Sequence, residues 1–213
     1  MSTIKRILNS KRMSEIETNQ WLKWICSSQN IDELVENYDR WADTYETDIE
    51  RFWKPVPLAA SLMLAQYVAN KQDTILDVGA GTGLVGVALA ELGFEQIIGM
   101  DISPSMLTKA AEKGIYKSLV CCFIGDEQFR NLEKASGIVA TGVFAENHAG
   151  SAELNKLQDN IKSGGVLVFT ARQSFLPKLE KVLNQPEWTL IDSKVMPIYD
   201  DPINLLAYKI CQK

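Results

Sequence analysis

The chain has 213 residues, enough for one domain with a modest extension, and 46% of them are hydrophobic, which favours a folded core over disorder. Acidic residues outnumber basic ones by 27 to 22, for a net charge of -5, and this balance argues against general binding to nucleic-acid phosphates. The sequence has no apolar leader-like stretch and no run of about 18 apolar residues. We therefore expect a cytoplasmic protein with no membrane partner.

The four cysteines show no metal-binding pattern. None of them stands in a CxxC spacing, so a zinc site has little support. Cys121 and Cys122 fall in an apolar run typical of a strand, where a free cysteine behaves as a small hydrophobic residue. This use of cysteine is typical of a reducing compartment.

The N-terminal third of the chain has helical patterning. Apolar side chains recur every three or four residues from Ile31 to Ile49, a spacing that predicts an amphipathic helix. A cluster at 21–25 predicts a shorter helix before it, and residues 58–68 predict another helix after a pair of prolines. We therefore predict a helical cap over residues 1–70.

Strand-like and helix-like runs alternate after residue 70. This alternation predicts right-handed βαβ units, and hence a parallel sheet covered by helices on both faces. Two strand-like runs near the end, at 188–196 and 204–211, have no helical pattern between them, which favours an antiparallel hairpin at the sheet edge. Residues 71–213 therefore predict an α/β core with a Rossmann-like, mostly parallel sheet of seven strands. The other predicted strands are 74–78, 96–101, 116–124, 137–143 and 166–171, and the predicted helices are 84–92, 103–114, 151–162 and 175–183.

A glycine-rich loop follows the first strand of this region and opens the next helix. Its glycines permit a tight turn and a close approach of the backbone to a ligand. In an open α/β sheet a ligand lies beyond the carboxyl ends of the strands, so the loop predicts a binding site. Asp101, at the end of the following strand, is placed to accept hydrogen bonds from ribose hydroxyls. The loop has the sequence Asp77-Val78-Gly79-Ala80-Gly81-Thr82-Gly83.

Two kinds of ligand are compatible with the loop. Residues 81–86 satisfy the GxGxxG pattern of dinucleotide sites, with Asp101 20 residues after Gly81, but this pattern alone is a weak indication. The other register places Asp77 two residues before the first glycine. A carboxylate at that position makes no favourable contact with a negatively charged pyrophosphate, whereas it attracts a ligand that carries an ammonium and a sulfonium. The loop therefore favours S-adenosylmethionine (SAM) over a nicotinamide cofactor.

Residues 75–83 resemble motif I of the class I SAM-dependent methyltransferases, and residues 99–107 resemble the motif that follows it. Other short stretches resemble the Williams–Beuren syndrome region methyltransferase-like family, and the similarity covers roughly residues 35–175. The resemblance implies SAM binding and a poorly defined methyl acceptor. We expect methyl transfer to a small molecule; the alternatives are a SAM-sensing protein without turnover and a nicotinamide-dependent oxidoreductase. These stretches are Tyr38-Asp39-x-Trp41-Ala42-x-x-Tyr45-Glu46, Gly83-Leu84-Val85-Gly86, Lys113-Gly114-x-Tyr116, Gly142-x-Phe144, His148-x-Gly150 and Thr170-x-Arg172.

The resemblance also implies which residues bind the cofactor. The glycine loop would pass the methionine moiety, and the acid before it would order either the loop or the ammonium group. The acid after the second strand would bind the ribose, and two apolar residues beyond it would flank the adenine. The implied cofactor contacts are Asp77, Gly79, Ala80, Gly81, Thr82, Gly83, Asp101, Ile102 and Met106.

One position departs from the family pattern. The family often ends its third strand with an acid that meets the adenine amine, whereas this chain has Phe123 near that place. Two alternatives follow for this contact. Asp126 replaces the missing acid through a bulged loop, or Phe123 packs on the adenine ring.

The loop at 141–148 follows the fourth predicted strand, and we expect it beside the transferred methyl group. Transfer from a sulfonium is an in-line displacement that positioning and desolvation can promote without a covalent intermediate. We expect Thr141 to contact the cofactor and Phe144 to contact the acceptor. His148 is the only histidine, and an unperturbed pKa of ~6.5 suits a general base; a histidine that faces solvent is the alternative.

Three further predictions concern the surroundings of the site. Tyr45 is the expected aromatic contact of the sulfonium, through a cation–π attraction. Arg172, at the end of the fifth predicted strand, would meet an anionic acceptor or form a surface salt bridge. Residues 1–30 contain a polar stretch with few apolar anchors, which predicts a mobile lid that closes through Trp21 and Trp24; the alternative is a tail that never orders.

Overall fold

The computed structural model describes residues 24–25 and 27–211, and its centre is a seven-stranded sheet with strand order β3-β2-β1-β4-β5-β7-β6. The first five strands in chain order run parallel, and β7 pairs antiparallel with both β5 and β6. This arrangement confirms the predicted Rossmann-like sheet with its C-terminal hairpin. The strands are β1 Ile75–Val78, β2 Ile97–Asp101, β3 Ser118–Cys121, β4 Ala135–Phe144, β5 Ile161–Arg172, β6 Trp188–Met196 and β7 Ile203–Ile210.

The helices cover both faces of the sheet, and some of them begin at a polar residue whose side chain caps the helix. Asn30 caps the first helix by accepting a hydrogen bond from the Glu33 amide, and Ser103 caps another by accepting one from the Met106 amide. Polar caps of this kind satisfy amide groups that lack partners inside the helix. The α-helices are α1 Ile31–Trp41, α2 Tyr45–Trp53, α3 Pro55–Tyr67, α4 Leu84–Glu91, α5 Pro104–Glu112, α6 Glu127–Arg130, α7 Ser151–Lys156 and α8 Glu180–Leu183, and two 3₁₀ segments span Leu157–Asn160 and Leu176–Lys178.

The helix predicted from Ile31 to Ile49 is instead two helices, α1 and α2, joined at residues 42–44. The carboxylate of Asp48 fixes this corner, because it accepts hydrogen bonds from the indole of Trp41 at 2.8 Å and the hydroxyl of Thr44 at 2.7 Å. Both helices bury their apolar side chains in one cluster, so the apolar spacing continues across the corner. Periodicity therefore gave no sign of the break.

Several other predicted elements have different bounds. The helix predicted at 175–183, for example, is a 3₁₀ segment at Leu176–Lys178 followed by α8 at Glu180–Leu183. The third strand, predicted at 116–124, is confined to Ser118–Cys121 and is partly exposed. Tyr116, just before it, packs against the core that α3 and α4 share. The helix predicted at 151–162 passes into a 3₁₀ segment and ends where β5 begins, at Ile161. A pairing between Ala135 and Ile161 starts the long β4–β5 ladder there.

The N-terminal helices pack in two different ways. α3 lies on the sheet and buries Val56, Ala60 and Leu64 completely in the core that it shares with α4. By contrast, α1 and α2 form their own apolar cluster with Ile25. The division of the chain at residue 70 stays a prediction, and α3 lies before that point yet packs with the sheet.

A polar contact anchors α1 beside the carboxyl end of β2. Asp39 of α1 accepts hydrogen bonds from the Ser103 hydroxyl at 2.5 Å and the Ser105 amide at 3.0 Å, both at the start of α5. This contact holds α1 over the loops that follow the strands. Within the part of the chain that the structure describes, no helix combines the length and apolar character needed to cross a membrane.

Candidate active site

A main cavity of about 540 Å³ opens at the carboxyl ends of β1, β2 and β4, a size typical of small-molecule sites. The sheet order reverses between β1 and β4, and open α/β sheets bind ligands at such a reversal. Helix α1 and the residues just before it form the opposite wall. The sequence-predicted residues that line this cavity are Tyr45, Gly79, Gly81, Asp101, Ile102, Met106, Thr141 and His148.

The glycine loop presents its backbone to the main cavity. Gly79 has a φ of +68°, and a Cβ there would lie 2.4 Å from Cγ2 of Val143, so only glycine fits. Gly81 has a φ of +54° and no described atom within 4 Å of its ideal Cβ position. The loop therefore leaves open space beside its backbone, as a ligand cradle requires. Ala80, Thr82 and Gly83 are buried in the loop and do not line the cavity.

Asp101 lies on the cavity wall with both carboxylate oxygens held by backbone amides. Oδ2 accepts from the Gly81 amide at 2.8 Å, and Oδ1 accepts from the Ser103 amide at 2.9 Å. Burial raises the pKa of Asp101, whereas these two hydrogen bonds lower it. Each carboxylate oxygen can accept a further hydrogen bond, so the group suits a pair of ribose hydroxyls.

Asp77 lies beneath the glycine loop and is completely buried. Its Oδ2 accepts a 2.7 Å hydrogen bond from the Tyr116 hydroxyl, and the residue does not line the main cavity. Burial raises the pKa of Asp77 to about 7, and the hydrogen bond from Tyr116 opposes this shift. Of the two roles predicted for Asp77, this position favours the ordering of the loop.

Sequence patterns predicted no role for Tyr116, which lies beside the candidate site. Its ring fills a slot left by two glycines, because a Cβ at Gly86 would lie 2.3 Å from the Tyr116 hydroxyl and a Cβ at Gly99 would lie 2.8 Å from its ring. With its ring in this slot, Tyr116 places its hydroxyl within hydrogen-bond distance of Asp77. The paired glycines were visible in the sequence, but their common neighbour was not.

Phe123 and Asp126, the two candidates for the adenine contact, differ in which cavity they face. Phe123 is 39% exposed and lines the main cavity. Asp126 caps α6 instead, accepting hydrogen bonds from the amides of Phe129 at 2.7 Å and Phe123 at 3.0 Å. It faces an adjoining depression together with Ile102. Phe123 is therefore the one of these two residues that the structure places in the main cavity.

His148 is joined to α1 by a hydrogen bond rather than facing solvent. Asn147, with a φ of +58°, turns the loop after β4, and Nδ1 of His148 lies 2.9 Å from the carbonyl oxygen of Glu146. A carbonyl only accepts, so Nδ1 carries the proton in the neutral ring and Nε2 is the acceptor. The Tyr38 hydroxyl, 3.0 Å away, donates to that nitrogen. Burial lowers the pKa of His148, which favours the neutral ring.

A smaller side cavity of about 100 Å³ adjoins the main one, and the two share Tyr38, Tyr45, Gly142 and His148 in their walls. Phe144 and Arg172 line the side cavity. The guanidinium carbon of Arg172 lies 4.6 Å from the centre of the Tyr199 ring. The remaining walls are largely aromatic, from Trp41, Phe52 and Trp53.

The predicted lid falls largely outside the described residues, which exclude residues 1–23 and 26. Trp21 is therefore not described. Ile25 is 2% exposed and packs with Leu34 and Trp41 in the apolar cluster of α1 and α2. The lid itself stays a prediction.

Residues 75–165 match the family model for a methyltransferase domain. The chain is 33% identical over 138 residues to human methyltransferase-like protein 27, covering 63% of this chain and 56% of that protein. It is 28% identical over 134 residues to ribosomal protein L11 methyltransferase of Mannheimia succiniciproducens, covering 57% of this chain and 45% of the relative. The chain thus spans about half the length of the curated relatives it matches.

Among solved structures, magnesium protoporphyrin IX methyltransferase from Synechocystis, which has SAM bound, is similar with a TM-score of 0.60 and 14% identity. The match covers 91% of this chain and 90% of that one. At this identity the likeness shows a shared fold.

Proposed function

Because this chain carries a class I SAM-dependent methyltransferase domain, we propose that it transfers the methyl group of SAM to a small-molecule acceptor. The domain assignment confirms the prediction made from the glycine loop, and SAM is the cofactor of this family. The narrower resemblance to the Williams–Beuren syndrome region family stays a prediction. The observation that carries the proposal is the main cavity, with the glycine loop and Asp101 on one wall and Tyr38 and His148 on another.

The residues of this cavity fit the cofactor group by group. The open space beside Gly81 admits the methionine moiety, Asp101 accepts hydrogen bonds from the ribose, and Ile102 and Met106 flank the adenine. When bound, SAM supplies an electrophilic methyl group on a sulfonium. Thr141 lines the same cavity at the carboxyl end of β4.

The chain's own contribution is mainly positioning and the exclusion of water. Helix α1 covers the cavity, and Tyr45 presents an aromatic wall to both cavities. Burial raises the pKa of Tyr45, so its ring stays a neutral phenol that attracts a cation. His148 is the proposed general base, acting through its Nε2 atom.

The shape of the site supports a small acceptor rather than a protein side chain. The relatives' names include a ribosomal protein methyltransferase and a porphyrin methyltransferase, so names alone favour neither class. Here the space beside His148 is a side cavity of about 100 Å³ beneath α1 and α2. A space this small suits a free small molecule better than an extended peptide.

Two measurements test this function. SAM and S-adenosylhomocysteine should raise the melting temperature by mass action, whereas NAD and NADP should not. Methyl-labelled SAM should then transfer label to the metabolite fraction of a cell extract and not to its protein fraction. Label in protein alone would reject the small acceptor, and SAM binding without transfer to either fraction would reject the enzyme.

A further inference from the structure

The side cavity differs from the main one in its charge. Asp101 and Glu153 line the main cavity, whereas the side cavity has no acidic lining residue among the described ones. Among the described residues that line the side cavity, Arg172 is the only one whose side chain is always charged. An aromatic cavity without an acid attracts cations weakly when a guanidinium already lines it, because like charges repel. The side cavity therefore favours an anion.

The guanidinium of Arg172 is available for such an anion. Among the described residues no carboxylate forms an ion pair with it, although it is partly buried against the ring of Tyr199. A planar guanidinium held on an aromatic face presents its donors in a fixed fork that matches a carboxylate. The guanidinium of Arg172 therefore binds a carboxylate, through two parallel hydrogen bonds, better than it binds a single polar atom.

The walls and the size of the side cavity select a flat molecule. Its lining includes the aromatic rings of Trp41, Tyr45 and Trp53. An apolar cavity of ~150 Å³ holds a benzene ring, and the side cavity is smaller, at about 100 Å³, so a ring would extend from it into the adjoining main cavity. A single ring with short substituents therefore fits across the junction.

From these observations we propose that the side cavity binds the methyl acceptor, and that the acceptor is a small aromatic carboxylate with a ring hydroxyl as its nucleophile. The proposal rests on the methyltransferase function above. Arg172 binds the carboxylate, and the aromatic walls hold the ring. The hydroxyl faces Tyr38 and His148, which stand where the two cavities meet.

The proton of that hydroxyl has a defined route. The hydroxyl oxygen attacks the methyl carbon, the carbon–sulfur bond breaks with its electron pair passing to sulfur, and S-adenosylhomocysteine and a methyl ether form. The departing proton moves to the Tyr38 oxygen as the Tyr38 proton moves to Nε2 of His148, 3.0 Å away. The sulfonium charge is lost as the imidazolium charge appears, so the net charge of the enclosed site does not change.

The binding test uses the three hydroxybenzoate isomers as probes, titrated calorimetrically with saturating S-adenosylhomocysteine. We expect one isomer to bind about tenfold or more tightly than phenol, which lacks the carboxylate, and than tyramine, which carries a cation. Arg172→Met should remove that preference while leaving S-adenosylhomocysteine affinity unchanged, and Arg172→Lys should keep part of it. The matched control is Lys71→Met, because Lys71 lies 3.8 Å from the Phe94 ring centre outside both cavities.

A rate measurement tests the proton route separately. Tyr38→Phe should slow formation of the methoxybenzoate at saturating hydroxybenzoate, followed by mass spectrometry, by about a hundredfold, a larger effect than the weakening of hydroxybenzoate binding that the lost hydroxyl causes. Three results would overturn the proposal: no isomer binds a protein that binds S-adenosylhomocysteine, tyramine binds best, or Arg172→Met weakens cofactor affinity and leaves the acid preference intact. Failure of the methyltransferase function itself is distinguishable, because the cofactor would then not bind or no acceptor in an extract would be methylated.

Discussion

The hydroxyl of Tyr116 donates a 2.7 Å hydrogen bond to Oδ2 of Asp77, joining the residue before the glycine loop to one that lies 39 positions later. The bond links the end of β1 to the segment that leads into β3. Asp77 is completely buried, and its other oxygen has no hydrogen-bond partner among the described residues. Tyr116 is therefore a positioning residue for the floor of the proposed cofactor site.

Replacing Tyr116 with phenylalanine should destabilise the protein. The ring would still fill the slot between the two glycines, but a buried carboxyl group would lose its hydrogen bond, which costs about 1–3 kcal/mol. Denaturant unfolding measures the loss. Tyr67→Phe is the control, because the Tyr67 hydroxyl is exposed and its contact with the Ile191 carbonyl is long, at 3.4 Å; equal losses in the two variants would contradict the role of Tyr116.

Asp77 should make the stability of the cofactor-free protein depend on pH. Its folded-state pKa of about 7 lies above the ordinary value of 3.8, so at intermediate pH the folded state holds a proton that the unfolded state has released. The resulting stability is complete below about pH 4 and is lost as the pH rises through about 7. Relative to Asp77→Asn, which does not titrate, the free energy of unfolding of the natural protein should fall by up to about 4 kcal/mol over this range. Urea unfolding at a series of pH values measures this free energy for both proteins. If the difference between the two proteins stays constant across this pH range, the pKa assignment is wrong.

Gly81→Ala should weaken SAM binding with only a modest loss of stability. The added methyl group meets no described atom, so the protein can fold at a cost of about 1–2 kcal/mol for the positive φ. The methyl group would occupy space in the cofactor cradle, and SAM affinity should fall about tenfold or more. Gly114→Ala is the matched control. Gly114 also has a positive φ, +64°, and no described atom within 4 Å of its ideal Cβ position, but it lies outside the main cavity. Calorimetry that finds the same SAM affinity in both variants would exclude the cradle.

Asp101→Asn should reduce SAM affinity while leaving the sheet folded. The loss of charge-assisted hydrogen bonds to the ribose corresponds to ~1.5–3 kcal/mol, or about tenfold and more in affinity. Asp126→Asn serves as the comparison, because Asp126 caps α6 outside the main cavity. Calorimetry should show a clear loss only for Asp101. An equal loss for Asp126→Asn would instead favour the adenine contact that the sequence suggested.

Sequence periodicity was sufficient for the sheet and for most of its elements. The alternation of strands and helices, and the absence of a helix between the last two strands, predicted a sheet that the structure confirms. The caps at Asn30 and Ser103 also follow local rules. The same rules missed the corner between α1 and α2, because the turn at 42–44 keeps the apolar side chains of both helices on one side.

The sequence by itself determined the fold class, the position of the glycine loop and the acid at the end of β2, because each depends on residues within one element or one turn. Only the tertiary structure decided that Tyr116 meets Asp77, that Tyr38 meets His148, and that Arg172 faces an aromatic cavity. Tyr38 and His148 are 110 residues apart, and no local pattern relates them. Such contacts are set by how α1 packs over the carboxyl ends of the strands, since packing depends on the shapes of all the neighbouring side chains at once.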